Sequence, residues 1–324
     1  MTQLRLTFSA LLAGLALAGC QEAELILPGE REPITAVLTN AEALALEAEV
    51  PENTAAPVSF PSATNNAAAA QGIGTPATRT AHPALSAAPQ LAWSVNIGAG
   101  DSRKQRIIAD PVVSGGLIYT LDADSLVSAV STSGSLAWQR SVRPARDNAG
   151  DATGGGLAAD GDTLYVSSGY GELAALDAAT GAVRWTQQLD ATGSGRPTVF
   201  GNLVYLLVGD EAGWALEKDT GRIAWQIGTA GDVNNVLGAP APAVTDDLTI
   251  FAFGTGELQA VFRRGGLRRW DASVLGERPG RALSKIDDVT GPPVVVGDVV
   301  YAGNQSGRMV AVNAGSGLRL WTAN

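Results

Sequence analysis

Few residues of this chain could take part in acid–base, nucleophilic or metal chemistry. His82 is the only histidine and Cys20 the only cysteine. A histidine-based triad or a zinc site needs several such side chains brought together, so neither is predicted. Carboxylates are more frequent, but many stand at turns, where they usually hydrogen-bond the turn backbone. Those at turns are Asp162, Asp177, Asp219, Asp246, Asp247 and Asp298. The sequence therefore predicts no enzyme, no catalytic residues, no metal and no cofactor.

Cys20 ends an N-terminal segment with the features of an export signal. Arg5 provides a short basic region, residues 6–17 are mostly apolar, and two small residues precede the cysteine. This arrangement resembles the lipobox of bacterial lipoproteins, whose cysteine is lipidated and becomes the first residue of the mature chain. The resemblance implies a signal peptide over residues 1–19 and a lipid on Cys20. Gln21, in place of the aspartate that tends to retain such proteins in the inner membrane, favours the outer membrane. An ordinary signal peptide followed by an unpaired cysteine is the alternative.

The formal charge of −10 is concentrated near the N-terminus. Residues 21–60 carry eight Glu and one Arg, whereas residues 91–324 carry 24 acidic and 19 basic side chains. Nucleic-acid binding needs a basic surface, so this balance argues against a nucleic-acid partner. It argues equally against a polybasic membrane patch.

Residues 20–89 are rich in Ala, Pro, Glu, Thr and Asn and poor in aromatic residues. Such a segment buries too little apolar surface to offset the entropy lost on ordering. We therefore expect a disordered tether over residues 20–89. Its length indicates a spacer between a bilayer and the domain that follows.

A repeat organises the rest of the chain. Five times an aromatic residue is followed by a tryptophan 19 or 20 positions later, with two apolar strands and Gly-containing turns nearby. The pairs are Tyr119–Trp138, Tyr165–Trp185, Tyr205–Trp225, Phe251–Trp270 and Tyr301–Trp321. Trp93, 45 residues before Trp138, ends a lone predicted strand. A period of about 40–50 residues is typical of a β-propeller with four-stranded blades. We therefore predict an all-β fold over residues 90–324 with about five complete blades, each tryptophan packing against the next blade.

One segment carries a family resemblance. Residues 176–185, with the sequence LDAATGAVRW, are similar to the repeat shared by quinoprotein dehydrogenase propellers and by the BamB family of outer-membrane assembly lipoproteins. Together with the lipobox and the acidic tether, the repeat favours the BamB family. That family has eight blades, which would need roughly 100 more residues at this repeat length. The resemblance therefore implies an incomplete copy truncated at its C-terminus, or an open propeller with exposed edges.

The same resemblance implies a partner and a place for it. In the BamB family two interblade loops contact the barrel-assembly protein BamA, and the matching segments here are residues 231–238 and 281–289. The implied partner-binding residues are Asn234, Val236, Leu237, Lys285 and Asp287. Three of them depart from the family pattern, because Asn234 replaces a leucine, Leu237 an arginine and Lys285 an aspartate. Ordinary solvated connections are the alternative interpretation of both loops.

The implied function is a non-enzymatic scaffold of the outer-membrane β-barrel assembly complex, anchored by lipid and facing the periplasm. It would bind BamA and assist insertion of β-barrel proteins, with unfolded outer-membrane proteins as possible further partners. One alternative is a dehydrogenase dependent on a quinone (PQQ), a class that commonly uses Ca²⁺, a catalytic Asp and a vicinal disulfide. With Cys20 alone, the disulfide is not available. A generic lipid-anchored periplasmic binding propeller is the second alternative.

Overall fold

The computed structural model describes residues 59–80, 82–191, 195–209, 211–229, 239–276 and 288–323. The chain separates into two compact units, Met1–Ser59 and Phe60–Asn324. Within the described residues all regular secondary structure is β, in five antiparallel sheets of four strands each. This confirms the predicted all-β propeller of four-stranded blades.

Each sheet is built from four strands consecutive in the chain. Sheet 1 contains β1 (Val112–Ser114), β2 (Leu117–Leu121), β3 (Leu126–Ser131) and β4 (Leu136–Ser141). Sheet 2 contains β5 (Gly155–Asp160), β6 (Thr163–Ser168), β7 (Glu172–Asp177) and β8 (Val183–Gln188). Sheet 3 contains β9 (Thr198–Phe200), β10 (Leu203–Val208), β11 (Ala212–Glu217) and β12 (Ile223–Gly228). Sheet 4 contains β13 (Ala243–Val244), β14 (Leu248–Ala252), β15 (Glu257–Phe262) and β16 (Arg268–Ser273), and sheet 5 contains β17 (Val294–Val296), β18 (Val299–Gly303), β19 (Met309–Asn313) and β20 (Arg319–Ala323).

The burial of the strands follows from stacking the sheets face to face. The middle strands of sheets 2 to 4 are buried on both faces; all six residues of β6 and all six of β10 are buried. In sheets 1 and 5, β2 and β18 are only partly buried. The fourth strand of each sheet is largely exposed, as in β8. One apolar cluster lies between each consecutive pair of sheets from 1 to 5. Removing this apolar area from water is the main force that holds neighbouring sheets together.

The repeated tryptophan connects each sheet to the next. Its indole Nε1–H donates to a backbone carbonyl of the following sheet, and its ring lies on the glycine of that sheet's last turn. The bonds run from Trp138 to Ala178 O (3.0 Å), Trp185 to Lys218 O (2.9 Å), Trp225 to Arg263 O (3.1 Å) and Trp270 to Ala314 O (2.7 Å). The prediction that each tryptophan packs against the next blade is therefore confirmed for these four.

The tyrosine of the repeat shares the same acceptor. The hydroxyls of Tyr119 and Tyr165 donate to Ala178 O and Lys218 O, at 3.1 and 3.2 Å. In sheets 1, 2, 3 and 5 the tyrosine and tryptophan rings lie 5.9–6.0 Å apart. Burial raises the pKa of Tyr165 to about 12, so its phenol stays protonated and can donate at any physiological pH.

The predicted pair Phe251–Trp270 is wrong by one residue. In sheet 4 it is Ile250 that pairs with Ala260, the residue opposite Trp270. In sheet 2 the corresponding positions are held by Tyr165, Ala175 and Trp185.

Because neighbouring residues of a strand point to opposite faces, Phe251 faces sheet 3 instead. There its ring meets Trp225 edge-on, with 6.1 Å between centroids. The apolar pattern misled because Ile250 and Phe251 are both buried.

Trp93 makes the repeat contact without belonging to a strand of the described sheets. Its Nε1–H donates to Thr132 O at 3.0 Å, and its ring lies beside Gly134 of sheet 1. The lone strand predicted to end at Trp93 is therefore absent from the described residues, while the docking of its tryptophan is present.

The ring contact predicts a difference between two glycines that both have positive φ. Gly221 has φ +73°, and a Cβ there would lie 2.5 Å from Trp185 Cε3, whereas Gly161 has φ +59° and open space around it. Gly161→Ala should lower the free energy of unfolding by about 1–2 kcal/mol, the cost of a left-handed alanine. Gly221→Ala should cost more, since the ring must also move. Urea unfolding of both variants measures this, and equal losses would contradict a tight ring contact.

Candidate functional site: the loop face of the propeller

The topology gathers two sets of connections at one end of the sheets. Because successive strands are antiparallel, the hairpins between second and third strands lie at the same end as the connections between sheets. We call this end the loop face. Its hairpins are residues 122–125, 169–171, 209–211, 253–256 and 304–308, and its connections are residues 142–154, 189–197, 229–242 and 274–293.

Every site residue predicted from the sequence lies outside the described residues. This applies to Cys20 and to Asn234, Val236, Leu237, Lys285 and Asp287. Only the described residues that flank the last five have a position in the fold. Residues 229–242 lead into sheet 4 and residues 274–293 lead out of it. The described ends of both connections therefore lie at the loop face, on either side of sheet 4.

Hydrogen bonds to neighbouring hairpins hold the described ends of these two connections. Thr229 N donates to Glu211 O at 2.8 Å, and its hydroxyl donates to Glu257 Oε2 at 2.8 Å. At the second connection, Ser306 Oγ donates to Gly276 O (2.8 Å) and Gln305 N to Asp288 O (2.9 Å). The connections thus emerge from fixed points on a rigid scaffold, the usual arrangement of binding loops.

A groove runs across the loop face near sheets 1 to 3. One part, of about 710 Å³, is lined by Arg146, Asp147, Asp151 and Tyr170 among others. A second part, of about 500 Å³, shares Asp190 with the first. Carboxylates outnumber cations along its walls. The groove is therefore acidic, and its second part reaches Glu211 and Gly228, next to the described start of connection 229–242.

Glu172 and Trp214 are two residues of this region to which the sequence assigned no role. Burial raises the pKa of the Glu172 carboxyl; Asp147 raises it further, while Arg146 opposes the rise. Trp214, outside the tryptophan repeat, is only 3% exposed and packs in the apolar cluster between sheets 2 and 3. Its position opposite Leu206 in the pairing of β10 and β11 places it on that face.

Two of the turn aspartates have the structural role expected of them. Asp177 accepts from the backbone N and hydroxyl of Thr180 and from Arg184 Nη2, at 2.7–2.9 Å. The Arg184 guanidinium is the main reason that the pKa of Asp177 falls to about 2. Asp162 also pairs with Arg184, and its pKa is lowered for the same reason. These carboxylates secure turns at the rim of sheet 2.

The residues that the structure describes do not fit the Ca²⁺-bound quinone of the dehydrogenase class. Over the described ranges, no three Asp, Glu, His or Cys side chains are grouped so that they could hold a metal ion. A vicinal disulfide needs two cysteines, and the chain has one. We derive no chemical step through a quinone for this chain.

The fold and its tryptophan contacts define the class of protein: a propeller of four-stranded blades with a tryptophan-docking repeat. The family model described as "Outer membrane protein assembly factor BamB" matches residues 123–324. The chain therefore belongs to the BamB family.

Curated relatives agree with this assignment. The chain is 26% identical to outer membrane protein assembly factor BamB of Yersinia pestis over 238 residues, covering 72% of this chain and 60% of that protein. It is 24% identical to the protein of the same name from Escherichia coli K12 over 239 residues, with the same two coverages. The chain thus spans about 60% of the length of these relatives.

Solved structures support the fold. BamB from Moraxella catarrhalis aligns with a TM-score of 0.50 at 20% identity, covering 67% of this chain and 75% of that one. A quinohaemoprotein alcohol dehydrogenase from Comamonas testosteroni aligns with a TM-score of 0.59 at 18% identity, covering 81% of this chain and 50% of that one. Identities this low show a common propeller architecture only. Among the described residues no helix is long and apolar enough to cross a membrane.

The raised pKa of Glu172 predicts a pH-dependent effect of removing its charge. A carboxyl whose pKa is higher in the folded state destabilises the fold once it ionises, so stability is lost as pH rises through its titration range. Glu172→Gln should therefore stabilise the protein relative to the parent at pH 7 and have little effect below about pH 4. Denaturant unfolding at both pH values measures this. Glu211→Gln, at the exposed rim of the groove, is the matched control, and a pH-independent effect of Glu172→Gln would contradict the assignment.

Proposed function

We propose that this chain is a non-enzymatic scaffold of the outer-membrane β-barrel assembly machinery. It binds the barrel-assembly protein BamA through the connections 229–242 and 274–293 and assists insertion of β-barrel proteins. The observation that carries the proposal is the match of residues 123–324 to the BamB family model. The described ends of the two connections support it, because they lie at one face on either side of sheet 4.

The residue types in the two connections suit a protein interface. Val236 and Leu237 supply an apolar centre, while Asn234, Lys285 and Asp287 supply polar and charged groups around it. An apolar core with a polar rim is the usual anatomy of such interfaces. The described ends are fixed by neighbouring hairpins, which lowers the entropy lost when the loops bind.

The scaffold is held at the periplasmic side of the outer membrane by a lipid on Cys20. The support is the lipobox-like segment ending at Cys20, together with Gln21 after it. An acidic linker over the following residues would keep the propeller away from anionic lipid headgroups, so the lipid alone would provide attachment. Unfolded outer-membrane proteins would be secondary partners.

Val236→Asp tests the partner and its site together. A charge placed without a counter-ion in an apolar interface should weaken binding to BamA by about tenfold or more. Val183→Asp, at an exposed position of the outer strand β8, is the matched control and should bind normally. Co-purification from detergent-solubilised envelopes and titration with purified BamA provide the measurements. Recovery of a dehydrogenase partner instead of BamA would refute the function, whereas normal binding by Val236→Asp would refute only the site.

Cys20→Ser tests the anchor. Without the thiol no lipid can be attached, so the protein should move from the membrane fraction to the soluble periplasm. Its propeller should retain its circular dichroism and thermal melting, because the described sheets begin at Val112. Retention of the variant in the membrane fraction at high salt would show that another part of the chain holds it there.

A further inference from the structure

The first strand of each sheet has one edge that its own sheet leaves unpaired. β1 pairs with β2 only, and the same holds for β5, β9, β13 and β17 within their sheets. Such edges present backbone N–H and C=O groups that require partners. In each sheet, one residue of the first strand pairs with the repeat tyrosine of the second strand, or with Ile250 in sheet 4. The next residue along the first strand presents its N–H at the unpaired edge. These equivalent residues are Val113, Ala159, Val199, Val244 and Val295.

A single short stretch of chain satisfies all five of these amides. Its residues 69–77 come from the segment predicted as tether. Each amide donates to one oxygen of this stretch at 2.7–2.9 Å. The bonds run from Val113 to Ala69 O, Ala159 to Ala70 O, Val199 to Gln71 Oε1, Val244 to Pro76 O and Val295 to Ala77 O. One segment thus contacts the inner edge of every described sheet.

Gln71 contributes to this row through its side chain rather than its backbone. Its Oε1 accepts from Val199 N at 2.9 Å, and its Nε2 donates to Val199 O at 2.9 Å. The side-chain amide therefore contacts β9 as a peptide group of a neighbouring strand would. The main chain is meanwhile free to turn, and Gly74 N donates to Gln71 O at 2.8 Å.

The segment is shaped for a narrow space. Apart from Gln71 and Ile73, residues 69–78 have small side chains or proline. Residues 69–78 are half-buried, while residues 59–68 and 82–92 are exposed. Ala70 packs against the apolar cluster between sheets 1 and 2, and Ala77 against the cluster between sheets 4 and 5.

We propose that the five inner-edge amides form a binding site for an extended polypeptide, and that residues 69–78 are its resident ligand. We call residues 69–78 the docking segment. It binds the inner edges of five blades at once and so sets the point at which the N-terminal chain leaves the propeller. The spacer predicted over residues 20–89 then effectively ends at Ala69.

Trypsin reports on the docking segment directly. Arg79 is the only Lys or Arg between Arg31 and Arg103, so cleavage after it is a unique event. Gln71→Met removes both bonds to Val199 with little change in volume. We expect it to speed cleavage after Arg79 about tenfold, relative to cleavage at the exposed Arg103 in the same protein. Gln90→Met, at an exposed position beyond the segment, is the matched control and should leave the ratio unchanged. Equal ratios in the two variants would overturn the proposal.

Hydrogen exchange tests whether the segment serves all five blades. In Gln71→Met, peptides containing Val113, Ala159, Val199, Val244 and Val295 should all exchange faster than in the full-length parent. Faster exchange at Val199 alone would mean a local contact and not a five-blade site.

A chain in which residues 66–80 are replaced by a Gly-Ser stretch of equal length separates binding from chain connectivity. A synthetic peptide of residues 66–80 should restore slow exchange at the five amides of that chain, and the same peptide with Gln71→Met should restore less. Failure of the unaltered peptide to protect any of them would overturn the binding site. None of these three experiments involves BamA or membranes, so the proposed function stands or fails separately.

Discussion

The architecture depends on one repeated interaction between neighbouring blades. A tryptophan N–H, joined in sheets 1 to 3 by a tyrosine O–H, donates to one carbonyl of the following sheet. The residue that carries this carbonyl is itself held in place, because its N–H donates to the turn that follows the first strand of its own sheet. In sheet 2, for example, Ala178 N donates to Asp162 O at 2.9 Å. The acceptor is therefore presented in the same place in each blade. A buried indole N–H without an acceptor would be costly, so the contact specifies how sheets are stacked as well as stabilising them.

This arrangement leaves little of the blade body available for function. The middle strands of sheets 2 to 4 are buried on both faces, and the turn carboxylates of sheet 2 are engaged with Arg184. The longest irregular parts are the connections of the loop face, and hydrogen bonds hold the described ends of 229–242 and 274–293. Such a division favours recognition by loops on a rigid support over chemistry by a cluster of inward-facing groups.

The inner edges of the sheets present a different physical problem. In a propeller, the first strand of each sheet has an edge whose backbone N–H and C=O groups are not paired by another strand. Here the docking segment provides acceptors for one N–H of each described sheet. The contact uses main-chain oxygens and one glutamine, so its specificity comes from backbone shape and size. Ala70 and Ala77 also pack against the apolar clusters between sheets 1 and 2 and between sheets 4 and 5.

The sequence by itself determined the repeat, the four-stranded blades, the number of complete sheets and the role of the repeated tryptophans. These features depend on apolar alternation and turn residues within about 40 residues of chain, which local pattern reveals. The placement of Ile250 rather than Phe251 opposite Trp270 was decided only in the folded protein. Both residues are apolar, and only strand pairing determines which of them faces its own tryptophan.

The burial of Trp214 and the docking of residues 69–77 could not be predicted from the sequence for a related reason. Trp214 falls outside the repeat period, and its burial depends on two sheets meeting around it. Residues 69–77 have the composition of a disordered linker, because their hydrogen bonds are made by backbone groups that every residue type shares. Only the tertiary structure brings five sheet edges, more than 180 residues apart in the chain at their extremes (Val113 and Val295), within reach of one short segment.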